Sequence, residues 1–368
     1  MTSMPAWPRR IRPFIANDLP RDAGRHALFA AVIGESPSRY SRSPAMWSAA
    51  FAVLGIDAVY LPLDVPARHV ASLLAALRDE PAFAGCNVTV PYKLDVMASL
   101  DTVDEAARRI GAVNTIVRGA DGALSGHNTD ADGLMQSLVR PMPGAPKPFL
   151  ASLAGLDTLL IGAGGAARAA AFALSKAIGD ASLTICNRSI EKARDLADEA
   201  SADAIGLDEL DRVIHEMDLV INASTVGQSG MRAAGDDFVT TLEPFSSLAP
   251  ADSVDLRASS FADEREFHEL WRAANEASVR RNRLTSMEVL RRAKPSAAFV
   301  DLIYSPPETT MLRLAREAGR PVLNGRGMLI MQAVEAFARR VMRRHIEAAS
   351  VEPAAAYDRV LAAMAGAW

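Results

Sequence analysis

Short apolar runs alternate with amphipathic stretches along most of this chain, and each change of period is marked by Gly, Pro or a capping residue. Residues 28–34 read as a buried strand, followed by a polar, turn-rich segment at 35–43. Pro44 then opens a helix that reaches about Leu54, where Gly55 stops it. Further strands are expected at 59–63 and 85–90, with a helix at 69–79 between them. This β-α-β-α-β alternation predicts a parallel sheet. A short helix at 104–110, a strand pair at 113–117 and 123–125 around Asp121-Gly122, and a helix from Asp132 to about Leu138 follow.

A patch holding Pro141, Pro143, Pro146 and Pro148 leads into a second unit. There, strands are expected at 157–161, 183–186, 219–222 and 297–303. Helices are expected at 166–178 and from the Ser189 cap through Ala200. Residues 327–348 read as one helix with an apolar face, and 353–365 as a last one. The fold class expected is α/β with two domains. One is an N-terminal domain with a parallel sheet core, at 27–130 and 325–368. The other is a Rossmann-type domain at 131–324, carrying a helical insertion within 231–296.

Residues 1–26 carry Pro5, Pro8, Pro13 and Pro20 among arginines and have no apolar core of a secretory kind. A disordered or loosely packed tail is expected; an organelle-targeting peptide is the other reading, weakened by Asp18 and Asp22. The insertion has two capping-box signatures, Ser260-Phe261-Ala262-Asp263 and Thr285-Ser286-Met287-Glu288, so a helical hairpin is expected. It is either solvated or a subunit contact or cofactor cover.

Composition narrows the function classes. The 368 residues are 49 % hydrophobic and 23 % charged, with a net charge of −4. That balance is ordinary for a globular protein and argues against a nucleic-acid footprint. No apolar run is long enough for a membrane span, and a cytoplasmic location is expected. Two cysteines, Cys86 and Cys186, lie in apolar runs and read as buried thiols outside any metal spacing.

Three segments carry candidate chemistry. Asn87-Val88-Thr89-Val90-Pro91-Tyr92-Lys93 ends a strand on a proline with a lysine just beyond, where open α/β sheets place their active groups. Gly126-His127-Asn128-Thr129-Asp130 offers an aspartate at another strand end. Lys93 and Asp130 together would form a proton-handling pair. Asp130 could equally cap the helix after it. His127 is expected to be satisfied or exposed.

The third segment, Leu160-Ile161-Gly162-Ala163-Gly164-Gly165-Ala166-Ala167-Arg168, fits G-x-G-x-x-A between a strand and a helix, as a dinucleotide site requires. At the next strand end stand Asn187-Arg188-Ser189 and, one turn on, Lys192. Their cations suit a 2′-phosphate, so NADP is favoured over NAD; a solvated helix face is the alternative. Arg168 could contact adenine or phosphate.

These segments resemble those of shikimate dehydrogenases. So do Ser41-Arg42-Ser43-Pro44, Gly111-Ala112-Val113-Asn114-Thr115, Asn222-Ala223-Ser224, Asp301-Leu302-Ile303-Tyr304 and Gly325-Arg326-Gly327-Met328-Leu329-Ile330-Met331-Gln332, in the same order and spacing over about 28–337. The resemblance implies reversible, NADP-dependent reduction of 3-dehydroshikimate to shikimate on the way to chorismate. It makes Lys93 and Asp130 the catalytic pair. Ser41 and Ser43 would hold the substrate carboxylate, and Thr89, Asn114, Tyr304 and Gln332 the ring hydroxyls. Gly162, Ala163, Gly164, Gly165, Ala166, Asn187, Arg188, Ser189 and Lys192 would hold the cofactor, with Gly325 and Met328 near the nicotinamide. A monomer or homodimer is expected.

Two departures stand out. The 34–41 loop is one residue longer than the family's, and Trp47 replaces a histidine, which points to changes on the substrate side. A quinate or aminoshikimate dehydrogenase, or a non-catalytic sensor, are the alternatives.

Overall fold

The computed structural model describes residues 7–349 and 351–368. The chain divides into two compact units, one of residues 1–148 and 328–368 and one of residues 149–327. The chain therefore enters the second unit at Phe149 rather than at 131, and returns at Met328 rather than at 325.

In the first unit α1 (Trp7–Ile11) precedes β1 (Leu28–Gly34), α2 (Pro37–Tyr40), α3 (Ser43–Leu54), β2 (Ala58–Asp64), α4 (Val70–Arg78) and β3 (Phe83–Val88). Then come β4 (Thr102–Val103), α5 (Glu105–Ile110), β5 (Thr115–Arg118), β6 (Leu124–His127) and α6 (Asp130–Val139). The sheet order is β2-β1-β3-β5-β6-β4. It is parallel across β2-β1-β3, as expected, and antiparallel where β5 joins β3 and β6. Alternation along β1 feeds two cores: Phe29, Ala31 and Ile33 pack with α4, while Ala30 and Val32 pack with α3. Gly55 ends α3 in the left-handed region at φ 67°, the conformation that favours glycine there.

The amino-terminal segment is a correction. Residues 7–26 are packed, while the part of the expected tail at 1–6 lies outside the described residues. Trp7 and Ile11 share one face of α1 and are 1 % and 0 % exposed. Trp7 stacks on Phe29 at 4.0 Å, and Asn17 hydrogen-bonds both the Asp64 N–H and the Pro62 carbonyl. An i, i+4 apolar pair among prolines and arginines was enough to bury the segment.

The second unit holds β7 (Thr158–Ile161), α7 (Gly165–Ala177), β8 (Leu183–Asn187), α8 (Ile190–Ala200), β9 (Asp203–Gly206), α9 (Leu210–Val213) and β10 (Leu219–Asn222). A small antiparallel sheet follows, made of β11 (Arg232–Ala233), β12 (Phe238–Thr240) and β13 (Leu256–Arg257). Then come α10 (Glu264–Arg292), β14 (Ala298–Asp301), α11 (Thr310–Glu317) and β15 (Val322–Leu323). The main sheet runs β15-β14-β10-β7-β8-β9 and is parallel throughout. That is the doubly wound order of a dinucleotide-binding fold, reversing between β7 and β10.

The expected hairpin is one helix of 29 residues. No Gly or Pro interrupts 264–292, and Phe267, Trp271, Asn275, Ser278, Asn282, Ser286 and Val289 fall on one buried stripe. The polar middle of that stripe disguised its continuity as a turn. The helix is capped by Asp263, which accepts from the Glu266 N–H at 2.9 Å.

Back in the first unit, the single helix expected at 327–348 is three segments. These are α12 (Arg326–Val334), a π-helical stretch over Glu335–Val341 and α13 (Arg343–Ala348). The chain then ends in α14 (Pro353–Gly366). Among the described residues, no helix is long and apolar enough to cross a membrane.

Candidate active site

In the first unit, β3 delivers Thr89 at its end, and a tight turn carries the chain through Pro91 to Lys93. Three bonds fix that turn. Thr89 N–H donates to Ile33 O (2.9 Å), Val113 N–H to Lys93 O (2.8 Å), and the buried Tyr92 hydroxyl to Val65 O (2.6 Å). Beyond β6, α6 starts at Asp130 with Thr129 as its N-cap residue, and neither side chain makes a capping bond. The Asp130 carboxylate is thus left for other work. Its Oδ2 lies 2.6 Å from Lys93 Nζ, and its Oδ1 accepts from Asn114 Nδ2 at 2.8 Å. The lysine side chain is 33 % exposed and the aspartate 17 %, so the pair faces solvent without being surrounded by it.

Asn114, 2 % exposed, is the hinge of a larger network. Its Oδ1 accepts from Thr129 N–H (2.8 Å) and from the Thr115 hydroxyl (2.9 Å). Thr115 in turn accepts from Asn87 Nδ2 at 3.2 Å, and Asn87 Oδ1 accepts from the Tyr60 hydroxyl at 2.7 Å. Burial raises the Tyr60 phenol well above the ordinary range. A continuous buried polar chain therefore runs from Tyr60 through Asn87 and Thr115 to Asn114, which holds Asp130 of the pair. Asn87, Thr115 and Thr129 stand in the motifs above without an assigned role, and nothing in the sequence reading singled out Tyr60. Asn87 was the available signal: a polar residue inside a buried strand needs partners.

Ser41 Oγ accepts from Ser43 N–H at 3.2 Å, so the two serines form one turn at the start of α3. Asp64 holds the preceding loop through Ser38, by its N–H (2.9 Å) and its hydroxyl (2.5 Å). Gln332, 9 % exposed on α12, donates to Leu329 O at 3.0 Å and accepts from Thr129 Oγ1 at 3.4 Å. Close approach of α6 and α12 permits this: a Cβ on Gly133 would lie 2.6 Å from that of Gln332. The unit thus gathers Lys93, Asp130, Asn114 and Gln332 on one network. Thr89 stands at the β3 end beside Gly34, whose Cβ would meet its methyl group. Met328 begins the returning segment. Tyr304, 39 % exposed, and Gly325 belong to the second unit.

His127 is satisfied, its Nδ1 lying 2.7 Å from Asp104 Oδ2, while Asp104 Oδ1 caps α5. Trp47 is a correction. It is fully buried, stacked on Tyr60 at 4.5 Å and edge-on to Phe337, so it packs behind the network instead of lining the substrate side.

In the second unit, the loop after β7 leaves its backbone open to a ligand at the start of α7. Gly162 has φ +117°, and a Cβ there would lie 2.9 Å from Ser224 N. Gly164 and Gly165 face open space at the start of α7, room that a pyrophosphate needs and a side chain would occupy. Ala163, Gly164, Asn187, Arg188, Ser189 and Lys192 line one hollow of about 220 Å³. Ala166 follows in the first turn of α7. Ser189 caps α8, and Asn187 Nδ2 donates to Ser189 O at 3.0 Å. The residues present fit an NADP. Arg168 is paired with Glu199 and lies over Phe172.

Asn222, Asp301 and Thr309 brace this end of the sheet. Asp301 accepts from Asn222 Nδ2 (3.0 Å), Ile303 N–H (3.0 Å) and the Thr309 hydroxyl (2.7 Å). Asn222 Oδ1 accepts from the Ser224 N–H (3.0 Å) and hydroxyl (2.7 Å). Burial pushes the Asp301 carboxyl up to about 6, against the pull of its three donors. Cys86 and Cys186 are buried and unbridged, with their thiols raised by burial, Cys186 to about 12.

Comparison with known proteins matches both halves of this arrangement. Residues 32–116 match the shikimate dehydrogenase substrate-binding domain, and residues 146–233 the shikimate / quinate 5-dehydrogenase family. The shikimate dehydrogenase (NADP(+)) of Moorella thermoacetica is 35 % identical over 92 % of this chain and 93 % of its own length. The structure of shikimate 5-dehydrogenase from Thermus thermophilus, in complex with NADP(H) and shikimate, aligns at TM-score 0.62. It shares 28 % identity, over 91 % of this chain and 99 % of that one. The quinate dehydrogenase of Corynebacterium glutamicum, in complex with NAD, aligns at TM-score 0.63 and 26 % identity, over 91 % and 99 %. With the two strand-end motifs, the glycine loop and this extent of likeness in hand, the chain belongs to the shikimate dehydrogenase family.

Proposed function

We propose that this protein is an NADP-dependent shikimate dehydrogenase, reducing 3-dehydroshikimate reversibly to shikimate in the route to chorismate. The observation that carries the reading is the Lys93–Asp130 contact of 2.6 Å, with the far carboxylate oxygen held by buried Asn114. Both partners are fixed before any substrate arrives, so little reorganisation opposes proton transfer.

When bound, the nicotinamide supplies or accepts the hydride. In the reductive direction Lys93 donates a proton to the oxygen that gains charge, and Asp130 keeps the lysine aimed at it. In the oxidative direction the same pair takes up the hydroxyl proton. The partly exposed lysine exchanges its proton with solvent between turnovers. Ser41 and Ser43 bind the substrate carboxylate, and Thr89, Asn114, Tyr304 and Gln332 bind ring hydroxyls, sorting a small, oxygen-dense molecule by several placed polar groups. Gly162, Ala163, Gly164, Gly165 and Ala166 receive the pyrophosphate. Asn187, Arg188, Ser189 and Lys192 receive the 2′-phosphorylated ribose; the two cations carry the preference over NAD. Gly325 and Met328 serve the nicotinamide end. A cytoplasmic monomer or homodimer completes the reading.

The test is NADPH absorbance with purified protein, offering shikimate, quinate and aminoshikimate in turn, each with NADP and with NAD. The expected result is that shikimate with NADP turns over fastest. Faster turnover of quinate would reassign the substrate and keep the chemistry. No turnover with any pair, alongside tight NADP binding, would favour a sensor instead.

A further inference from the structure

The second unit has a cavity of about 210 Å³ that only part of the doubly wound fold accounts for. Ile161, Leu207 and Val226 line it from the β7, β9 and β10 ends, and Leu242, Ala249 and Ala251 line it from the inserted segment between β12 and β13. Its lining also includes Asn187 and Arg188, which it shares with the hollow at the glycine loop. An apolar slot beside the guanidinium proposed to meet the ribose phosphate suits a flat heteroaromatic base.

The loop forming the far wall has no regular structure, so something else must hold its backbone. That support is the polar stripe of α10. Asn282, 3 % exposed, accepts from Ser246 N–H at 2.8 Å, and its Nδ2 lies 2.9, 3.0 and 3.1 Å from the carbonyls of Ser246, Ala249 and Pro250. Ser278 bonds the Asp252 carbonyl, and Asn275, fully buried, bonds both the N–H (2.6 Å) and carbonyl (3.0 Å) of Val254. A helix that needed only to pack would use apolar residues here, as it does at Phe267 and Trp271. The buried amides instead fix one loop conformation.

We propose that the insertion completes the adenosine end of the cofactor site. Residues 242–251 form the wall on which the purine packs, and α10 is the strut that positions it. This rests on the NADP reading and deepens it.

The test is calorimetric titration of 2′,5′-ADP into the full chain, without substrate. Ala249→Phe fills the slot, and Ala251→Trp fills it from the half-exposed rim should the first variant fold poorly. Each is expected to weaken 2′,5′-ADP about tenfold or more. Asn282→Ala is expected to weaken it several-fold, as the wall loses its fixed position. Wild-type affinity in both filled variants, with folding verified by circular dichroism, would overturn the inference alone. Absence of 2′,5′-ADP binding by the wild type would overturn the NADP reading and the inference together.

Discussion

Asp301 offers a prediction whose size follows from the structure. It is 0 % exposed, and burial raises its carboxyl from 3.8 to about 6 despite three donors. The native state therefore holds this proton more tightly than the unfolded chain does. Between about pH 4 and pH 6 the folded protein binds more protons at this site, so stability falls as pH rises through that window and levels off above it. A shift of this size corresponds to about 3 kcal/mol. Asp301→Asn cannot titrate. Its one oxygen can still accept from Asn222 and Ile303, which both meet Oδ1 in the wild type, while Thr309 must turn its hydroxyl. Urea unfolding of both proteins at pH 4, 5, 6 and 7, followed by tryptophan fluorescence and by circular dichroism, gives the difference at each pH. Other titrating groups cancel in that difference. The wild type is expected to lose up to about 3 kcal/mol relative to the variant between pH 4 and pH 7. A difference that stays flat, or changes in the wild type's favour, would refute the reasoning.

Two further substitutions test the packing that the structure adds to the sequence pattern. Trp7→Ala removes the ring stacked on Phe29 and should cost about 3–5 kcal/mol in urea unfolding of the first unit, whereas a free tail would give no change. Gly133→Ala places a methyl group against Gln332 Cβ and backbone N and should cost about 1–3 kcal/mol. It should also raise KM for shikimate more than KM for NADP, because Gln332 is displaced; equal changes in both would speak against that placement.

Most of the frame was legible because its signals are local. Gly55, the Gly162–Gly165 loop, the Ser189 cap and the strand at Leu219–Asn222 each announce themselves within a few residues. Lys93 and Asp130 were legible as strand-end residues, and their contact confirms that the two ends meet. What escaped depends on partners distant in sequence. Trp7 finds Phe29, and Asn17 finds Asp64, across intervals no periodicity records. The long α10 was split in two because its buried stripe is asparagine and serine where a core is normally apolar. Those residues make sense only once the loop at 246–254 is seen lying against them. Trp47 was placed on the substrate side because it stands where the family has histidine, and its burial against Tyr60 and Phe337 could not be read from either neighbour alone.

The most direct test of the central claim is single-turnover reduction of 3-dehydroshikimate by NADPH with wild type and Lys93→Met, each with its substrate affinity measured separately. The Lys93–Asp130 account predicts that the rate of the chemical step falls about 10²- to 10⁴-fold while 3-dehydroshikimate affinity changes only a few-fold. An unchanged single-turnover rate in Lys93→Met, with substrate and NADPH both bound, would contradict it.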